Sequence, residues 1–332
     1  MKTLAIIGGG SWGTALAMVL SPRFETVRLW VFEADLATRM ASTRENDVFL
    51  SGFRLPENVA VTSDLGTAVE GAEIVLGVMP SRHARGLYAA MRPRLEPEVI
   101  LVSATKGLEQ NSLLRITQVI LETVGPDFRG HVAALSGPTF AREIARGDPA
   151  AVVIVSKSVE ICRTVQRSFS GPTFRLYTNS DPVGVELGAA LKNVIAIGAG
   201  VCQGLGLGNN TLAALITRGL AEIARLAVAA GGHPETLAGL AGLGDLVLTC
   251  TGDLSRNRRV GIELAKGKSL AEITAGTLMI AEGVETCQAA VTLGETLGVD
   301  LPIIQEMYAV LYRGKSPRES VRDLMERSLK SE

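Results

Sequence analysis

The sequence has few cysteines and histidines, and neither kind is arranged for metal or disulfide chemistry. Cys162, Cys202, Cys250 and Cys287 are scattered without a CxxC pair, and His83, His131 and His233 form neither HxxxH nor HExxH. That pattern argues against a zinc site and a disulfide framework, so no metal is expected. An excess of one charge is also missing: 33 Lys+Arg against 34 Asp+Glu leave a formal charge of −1. No broad positive field is available for a nucleic acid or an anionic lipid surface. The chain does not open on a cationic stretch, an apolar core and a cleavage site. Its apolar runs are interrupted by Lys, Asn or clustered Gly before the roughly 18 residues a bilayer span requires. The expectation is a reduced, cytoplasmic protein without membrane insertion and without a nucleic-acid partner.

What is present is a globular composition, 47% hydrophobic and 20% charged over 332 residues, enough for about two domains. Short β-branched runs alternate with helical patterns as far as Tyr177, which is βαβ rhythm. Candidate strands are Thr3 to Ile7, Val27 to Phe32, Glu73 to Val78, Val99 to Ala104, Val132 to Leu135 and Ala151 to Val155. Several are apolar on both faces, as a parallel sheet covered by helices demands. Thr43 to Asn58 is polar, holds Pro56 and lacks a period, and reads as an insertion. Beyond Asp181-Pro182 the β-branched runs stop and Ala, Leu and Gly dominate long helical segments. The fold class is therefore α/β: a doubly wound parallel sheet over residues 1–180 and an all-helical domain over 181–332. A helix from Pro182 to about Cys202, apolar nearly all round, belongs in the middle of the second domain. Others are expected over Asn210 to Ala230, Ser255 to Lys266, Glu282 to Leu297, Pro302 to Tyr312 and Pro317 to Leu329.

Gly8-Gly9-Gly10-Ser11-Trp12-Gly13 follows the first strand and opens a helix from Thr14 to Leu20. In that context GxGxxG is a dinucleotide signature. Gly8 makes the turn, Gly10 admits the pyrophosphate, Gly13 lets helix approach strand, and the amides of Ser11 and Trp12 face the phosphates. The first domain is thus a Rossmann-type dinucleotide-binding domain. Twenty residues past Gly13, Glu33 stands where an acid accepts from a ribose 2′-hydroxyl. With Phe32, Glu33, Ala34 and Asp35 there and no nearer cation than Arg39, NAD is the preferred cofactor and NADP the alternative.

Lys106 ends a strand at the carboxyl edge of the sheet, where doubly wound folds bind ligands. Lys192, followed by Asn193, lies in an otherwise apolar helix and needs a partner; Asp245, in the Gly-rich apolar stretch Ala241 to Thr251, is the natural one. Ser255-Arg256-Asn257 starts a helix with an N-cap, first-turn amides and a guanidinium, a setting for an anion such as a substrate phosphate. Ser136 to Ala141 places a glycine and then a proline at another helix start.

The ordered blocks GGGSWGTALA, SATKGLE, SGPTFARE, KNVIAIGAG and GLGDLVLTC, the last followed by SRNRR, resemble the bacterial-type NAD(P)-dependent glycerol-3-phosphate dehydrogenases over essentially the whole chain. The resemblance implies reduction of dihydroxyacetone phosphate to sn-glycerol 3-phosphate for phospholipid synthesis, by a cytoplasmic homodimer. It implies that Ser11, Trp12, Lys106, Ala141, Arg256, Ile280 and Glu282 contact the dinucleotide. Lys192 would be the proton acceptor, with Lys106 and Asp245 beside it in the catalytic set. Lys106, Gly137, Thr139, Asn193, Asp245, Thr249, Ser255, Arg256 and Asn257 would form the substrate pocket. Phe32 stands where many members carry Arg or His, a departure that weighs against strong NADP use. A β-hydroxyacid or phosphogluconate dehydrogenase would share the lysine on the long helix, but lacks the SRNRR and GLGDLVLTC blocks.

Overall fold

The computed structural model describes residues 1–275 and 281–329 and divides the chain into two compact units. The first comprises residues 1–106 and 114–182 and the second residues 107–113 and 183–332.

The first unit contains β1 (Thr3–Ile7), β2 (Thr26–Trp30), β3 (Glu45–Asn46), β4 (Leu50–Arg54), β5 (Val59–Thr62), β6 (Ile74–Gly77), β7 (Ile100–Ser103), β8 (His131–Ser136), β9 (Ala150–Val155) and β10 (Phe174–Asn179). Eight of these form one sheet in the order β10-β9-β8-β7-β6-β1-β2-β5, while β3 and β4 pair as a separate antiparallel hairpin. Its helices are α1 (Ser11–Leu20), α2 (Ala34–Thr43), α3 (Leu65–Val69), α4 (Ser81–Met91), α5 (Ile116–Val124), α6 (Ala141–Arg146) and α7 (Val159–Phe169). Alternate residues of the central strands feed two cores: Leu4, Ile6, Leu29 and Val102 pack with Leu16, whereas Ala5, Ile7, Val75 and Leu101 pack with Tyr88 and Ile120. Period-two alternation of side chains thus makes the strands apolar on both faces.

The sheet departs from full parallelism at one pair, because β9 runs antiparallel to β8. The link between them holds only α6, six residues long. That helix spans about 9 Å, short of the roughly 20 Å needed to return along a six-residue strand, so β9 starts at the edge where β8 ends. Two further differences concern the end of β2 and the insertion after α2. β2 stops at Trp30 rather than Phe32, and the stretch Thr43 to Asn58, expected as a plain insertion, contains the β3–β4 hairpin.

The second unit consists of α8 (Pro182–Gly204), α9 (Asn209–Ala229), α10 (Pro234–Leu237), α11 (Asp245–Thr251), α12 (Arg256–Ala265), α13 (Leu270–Thr274), α14 (Glu282–Leu297), α15 (Pro302–Tyr312) and α16 (Pro317–Met325). Residues 107–113, which a first domain over 1–180 would include, pack here because Leu108 and Leu113 join the helical core. α8 is its axis, buried from Gly184 to Cys202. By length and composition this helix suffices to cross a membrane, with mean hydropathy 1.5, contrary to the expectation that Lys192 and Asn193 break the run too early; its apolar window is wholly buried. Close approach of α12 depends on two glycines. A Cβ on Gly261 would lie 1.9 Å from Ile197 O, and one on Gly200 would lie 1.9 Å from Arg258 O. Asp245, expected in an apolar loop, is instead the first residue of α11, entered through a π-helical turn at Leu240–Gly244.

Candidate active site

The expected site residues fall into two groups, one in each unit. In the first unit, the chain leaves β1 and turns directly into α1, whose N-cap is Gly10. Gly8 has φ +130°, and a Cβ there would lie 2.6 Å from Val78 O; a Cβ on Gly13 would lie 1.8 Å from Gly8 O. These contacts make the loop tight enough to aim the first-turn amides of Ser11 and Trp12 outward from the helix end, where the dipole favours an anion. A Cβ on Gly10 would meet nothing within 4 Å. The loop therefore presents open space beside orphan amides, the chemistry a pyrophosphate requires.

Phe32 and Glu33 lie just past the end of β2, and Glu33 serves as the N-cap position of α2 in extended conformation. Phe32 is 76% exposed, its ring set edge-on to Trp30. Arg39, the nearest cation expected to serve a 2′-phosphate, is held by Asp47: Nε donates to Oδ2 at 3.3 Å and Nη2 to Oδ1 at 3.1 Å. The same bonds hold the Asp47 carboxyl below its usual range.

At the carboxyl edge of the sheet, Lys106 Nζ donates to Gly137 O (3.1 Å) and Thr139 Oγ1 (3.4 Å), and Thr139 Oγ1 donates to Gly137 O (3.2 Å). The structure brings these three together. Ala141 follows as the first residue of α6.

The second unit gathers the other group around α8. Lys192 Nζ donates to Thr249 Oγ1 at 2.7 Å and to Asn193 Oδ1 at 3.1 Å, and lies 3.1 Å from Asp245 Oδ1. Three oxygens thus meet the three donors of one ammonium. Thr249, one turn after Asp245 on α11, donates to Asp245 O at 2.6 Å, so the pair is locked to its helix. Asn193 Oδ1 also accepts from Asn257 Nδ2 (3.0 Å), and Asn257 Oδ1 accepts from Gly283 N (2.9 Å). This chain of amides joins α8, α12 and the start of α14, where Glu282 stands. The ion pair expected between Lys192 and Asp245 is present, buried on both sides. Burial raises the adjacent Cys250 thiol to about 12, which keeps it protonated and out of nucleophilic chemistry.

Ser255 is the N-cap of α12, its Oγ accepting from Arg258 N at 3.2 Å. Arg256 is the first residue of that helix and is exposed, while Arg258 turns back to Asp253 at 2.8 Å. Although Arg256 keeps solvent-exposed surface, its guanidinium is crowded enough that desolvation lowers its pKa, with Glu282 acting the other way; such a group beside orphan first-turn amides can take a phosphate. Ile280 lies outside the described residues. Sequence reasoning did not find the Asn193–Asn257–Gly283 amide chain, since spacings of 64 and 26 residues carry no local signal.

Comparison with known proteins covers both units of the chain. A family model described as the NAD-dependent glycerol-3-phosphate dehydrogenase N-terminus matches residues 3–162, and one for the C-terminus matches residues 181–322. A glycerol-3-phosphate dehydrogenase [NAD(P)+] of Koribacter versatilis is 56% identical over 329 residues, covering 98% of each chain. One of Citrifermentans bemidjiense is 51% identical over 331 residues, covering 100% of this chain and 99% of that one. The crystal structure of glycerol-3-phosphate dehydrogenase from Coxiella burnetii superposes with a TM-score of 0.94 at 37% identity, covering 98% and 99%. With both halves and the relatives in agreement over nearly its whole length, the chain belongs to the NAD-dependent glycerol-3-phosphate dehydrogenase family.

Proposed function

We propose that this protein reduces dihydroxyacetone phosphate to sn-glycerol 3-phosphate, with NADH preferred over NADPH, as a cytoplasmic homodimer supplying glycerophospholipid synthesis. The observation that carries the reaction is the buried cluster of Lys192, Asp245 and Thr249. A bound reduced nicotinamide supplies a hydride to the ketone carbon. The ketone oxygen then needs a proton and a nearby positive charge, and Lys192 Nζ provides both. Asp245 and Thr249 fix the ammonium by ion pair and hydrogen bond, so its position is set before substrate arrives. Lys106 and Asn193 orient the carbonyl and hydroxyl groups, with Gly137 and Thr139 holding Lys106 in place. Arg256, with the α12 amides, Ser255 and Asn257, takes the phosphate, which turns remote binding energy into orientation. The Gly8–Gly13 loop, Phe32, Glu33, Ala141 and Glu282 serve the dinucleotide.

The cofactor preference follows from Glu33 and Arg39. An exposed carboxylate repels a 2′-phosphate but accepts from a 2′-hydroxyl, and Arg39 is already engaged by Asp47. The test is oxidation of NADH, followed by loss of nicotinamide absorbance, with dihydroxyacetone phosphate as acceptor. Rapid turnover is expected, slower with NADPH. Turnover with a 2-keto acid but not with dihydroxyacetone phosphate would overturn the assignment.

A further inference from the structure

The β3–β4 hairpin has no part in the chemistry above, yet it reaches the dinucleotide loop through one fully buried amide. Asn46 has no exposed surface. Its Nδ2 donates to Gly9 O and to Thr14 Oγ1, both at 2.8 Å, and its Oδ1 accepts from Phe49 N at 2.9 Å. Both amide protons are therefore spent on the cofactor loop, and the amide oxygen on the hairpin itself. Reversing the amide would set its oxygen against the Gly9 carbonyl, so the orientation is unique. Gly9 and Thr14 bracket the residues whose amides face outward, which means Asn46 holds the turn at both of its ends.

The other strand of the hairpin reaches α6. Arg142 Nη1 donates to Ser51 O at 3.4 Å, and its guanidinium lies 5.3 Å over the Phe53 ring. Arg142 follows Ala141, the first residue of that helix. The hairpin is anchored below by Leu50, which is 1% exposed, and by Arg44, whose Nη1 donates to Val59 O at 2.8 Å.

We propose that Asn46 is a positioning residue for dinucleotide binding, and that the hairpin Glu45–Arg54 braces the Gly8–Gly13 loop and the start of α6 in binding geometry before the ligand arrives. This rests on the dinucleotide reading of that loop. Preorganisation of this kind raises affinity by removing an ordering cost from the binding step.

Asn46→Asp is nearly isosteric and keeps the bond from Phe49 N, but turns both donors into an acceptor facing Gly9 O. Titration of the cofactor-free protein with NADH, followed by tryptophan fluorescence, should give a Kd raised about tenfold, the factor that corresponds to losing one well-placed hydrogen bond. Hydrogen exchange of the backbone amides of residues 8–14, measured without NADH, should quicken. The kcat at saturating NADH should stay near wild type, since Lys192 and Asp245 are untouched. A residue that merely supported the fold would lower the melting temperature and leave Kd and local exchange alone, and that result would overturn the proposal. Should Asn46→Asp not fold, Arg142→Met on the exposed face tests the other end of the brace. Weaker NADH binding at an unchanged melting temperature supports the proposal, and wild-type binding overturns it. Failure of the wild-type protein itself to bind NADH would instead overturn the dinucleotide reading.

Discussion

Lys192 Nζ lies 3.1 Å from Asp245 Oδ1 with the two side chains only 4% and 2% exposed, so a full ion pair is enclosed in the helical unit. Removing one charge leaves the other buried without its counter-ion, at a cost of about 3–5 kcal/mol, more than removing both. Lys192→Ala should lower kcat by about 10² to 10⁴-fold, the range for a lost general acid, while NADH binding survives. Asp245→Ala should also reduce kcat, and the double variant should lose less than the two single losses combined. Rates that simply multiply would show that the two residues act independently.

Arg256 tests the phosphate assignment. Arg256→Ala removes a charge-assisted donor from the α12 N-terminus, so the KM for dihydroxyacetone phosphate should rise at least about tenfold. Unphosphorylated dihydroxyacetone, a poor substrate from the start, should be little affected. Equal loss with both acceptors would assign Arg256 to the fold or the cofactor.

Features with a local cause were legible in the sequence. The Gly8–Gly13 turn, the N-cap at Ser255 and helices such as Glu282–Leu297 and Pro302–Tyr312 rest on residues within a few positions of one another. The need of Lys192 for a partner was equally visible, because a cation among Ala, Val and Ile has few alternatives. The outer strands were not. β10 alternates buried and exposed residues for most of its length, and β5 is fully buried at Val59 alone, so neither shows the wholly buried run that marks β6 and β7. The reversal of β9 depends on how short α6 is, and the place of Asn46 on contacts 32 and 37 residues away.

The pair of Arg39 and Asp47 bears on cofactor choice. Asp47→Asn releases the guanidinium from its bidentate hold. With Arg39 able to turn toward a 2′-phosphate, the ratio of kcat/KM for NADH over NADPH should fall by about three- to tenfold, less than a full charge-assisted hydrogen bond. Steady-state kinetics with both cofactors measures it, and an unchanged ratio would place Arg39 out of reach of the adenosine ribose.

Close helix packing gives a stability prediction with its own control. The Cβ of Gly261→Ala would meet Ile197 O at 1.9 Å and Val201 N at 2.7 Å, both backbone atoms that cannot swing aside. Separating α12 from α8 should cost about 1–3 kcal/mol, as overpacking does, and should move Asn257 from Asn193. Gly86→Ala, within α4 where a Cβ meets nothing within 4 Å, should instead stabilise by up to about 1 kcal/mol. Urea unfolding of the two variants should therefore shift in opposite directions.

Glu222 gives the protein a pH-dependent stability away from the proposed chemistry. It is buried on α9, and its carboxylate accepts from Ile303 N at 2.8 Å and Ile304 N at 3.2 Å in the first turn of α15. Burial raises its pKa from 4.5 to about 7 despite those bonds; Arg225 opposes the rise and Asp300 adds to it. Between these two values the folded chain holds a proton that the unfolded chain has lost, so stability must fall as pH rises. The contribution is complete below the unfolded value and is lost by the time pH passes the folded one, a span of about 3 kcal/mol at 1.36 kcal/mol per unit. Glu222→Gln keeps one acceptor for the α15 amides and has no proton to release. Urea midpoints measured from pH 5 to pH 8 should decline in the wild type and stay flatter in the variant. Parallel declines would show that another group carries the pH dependence.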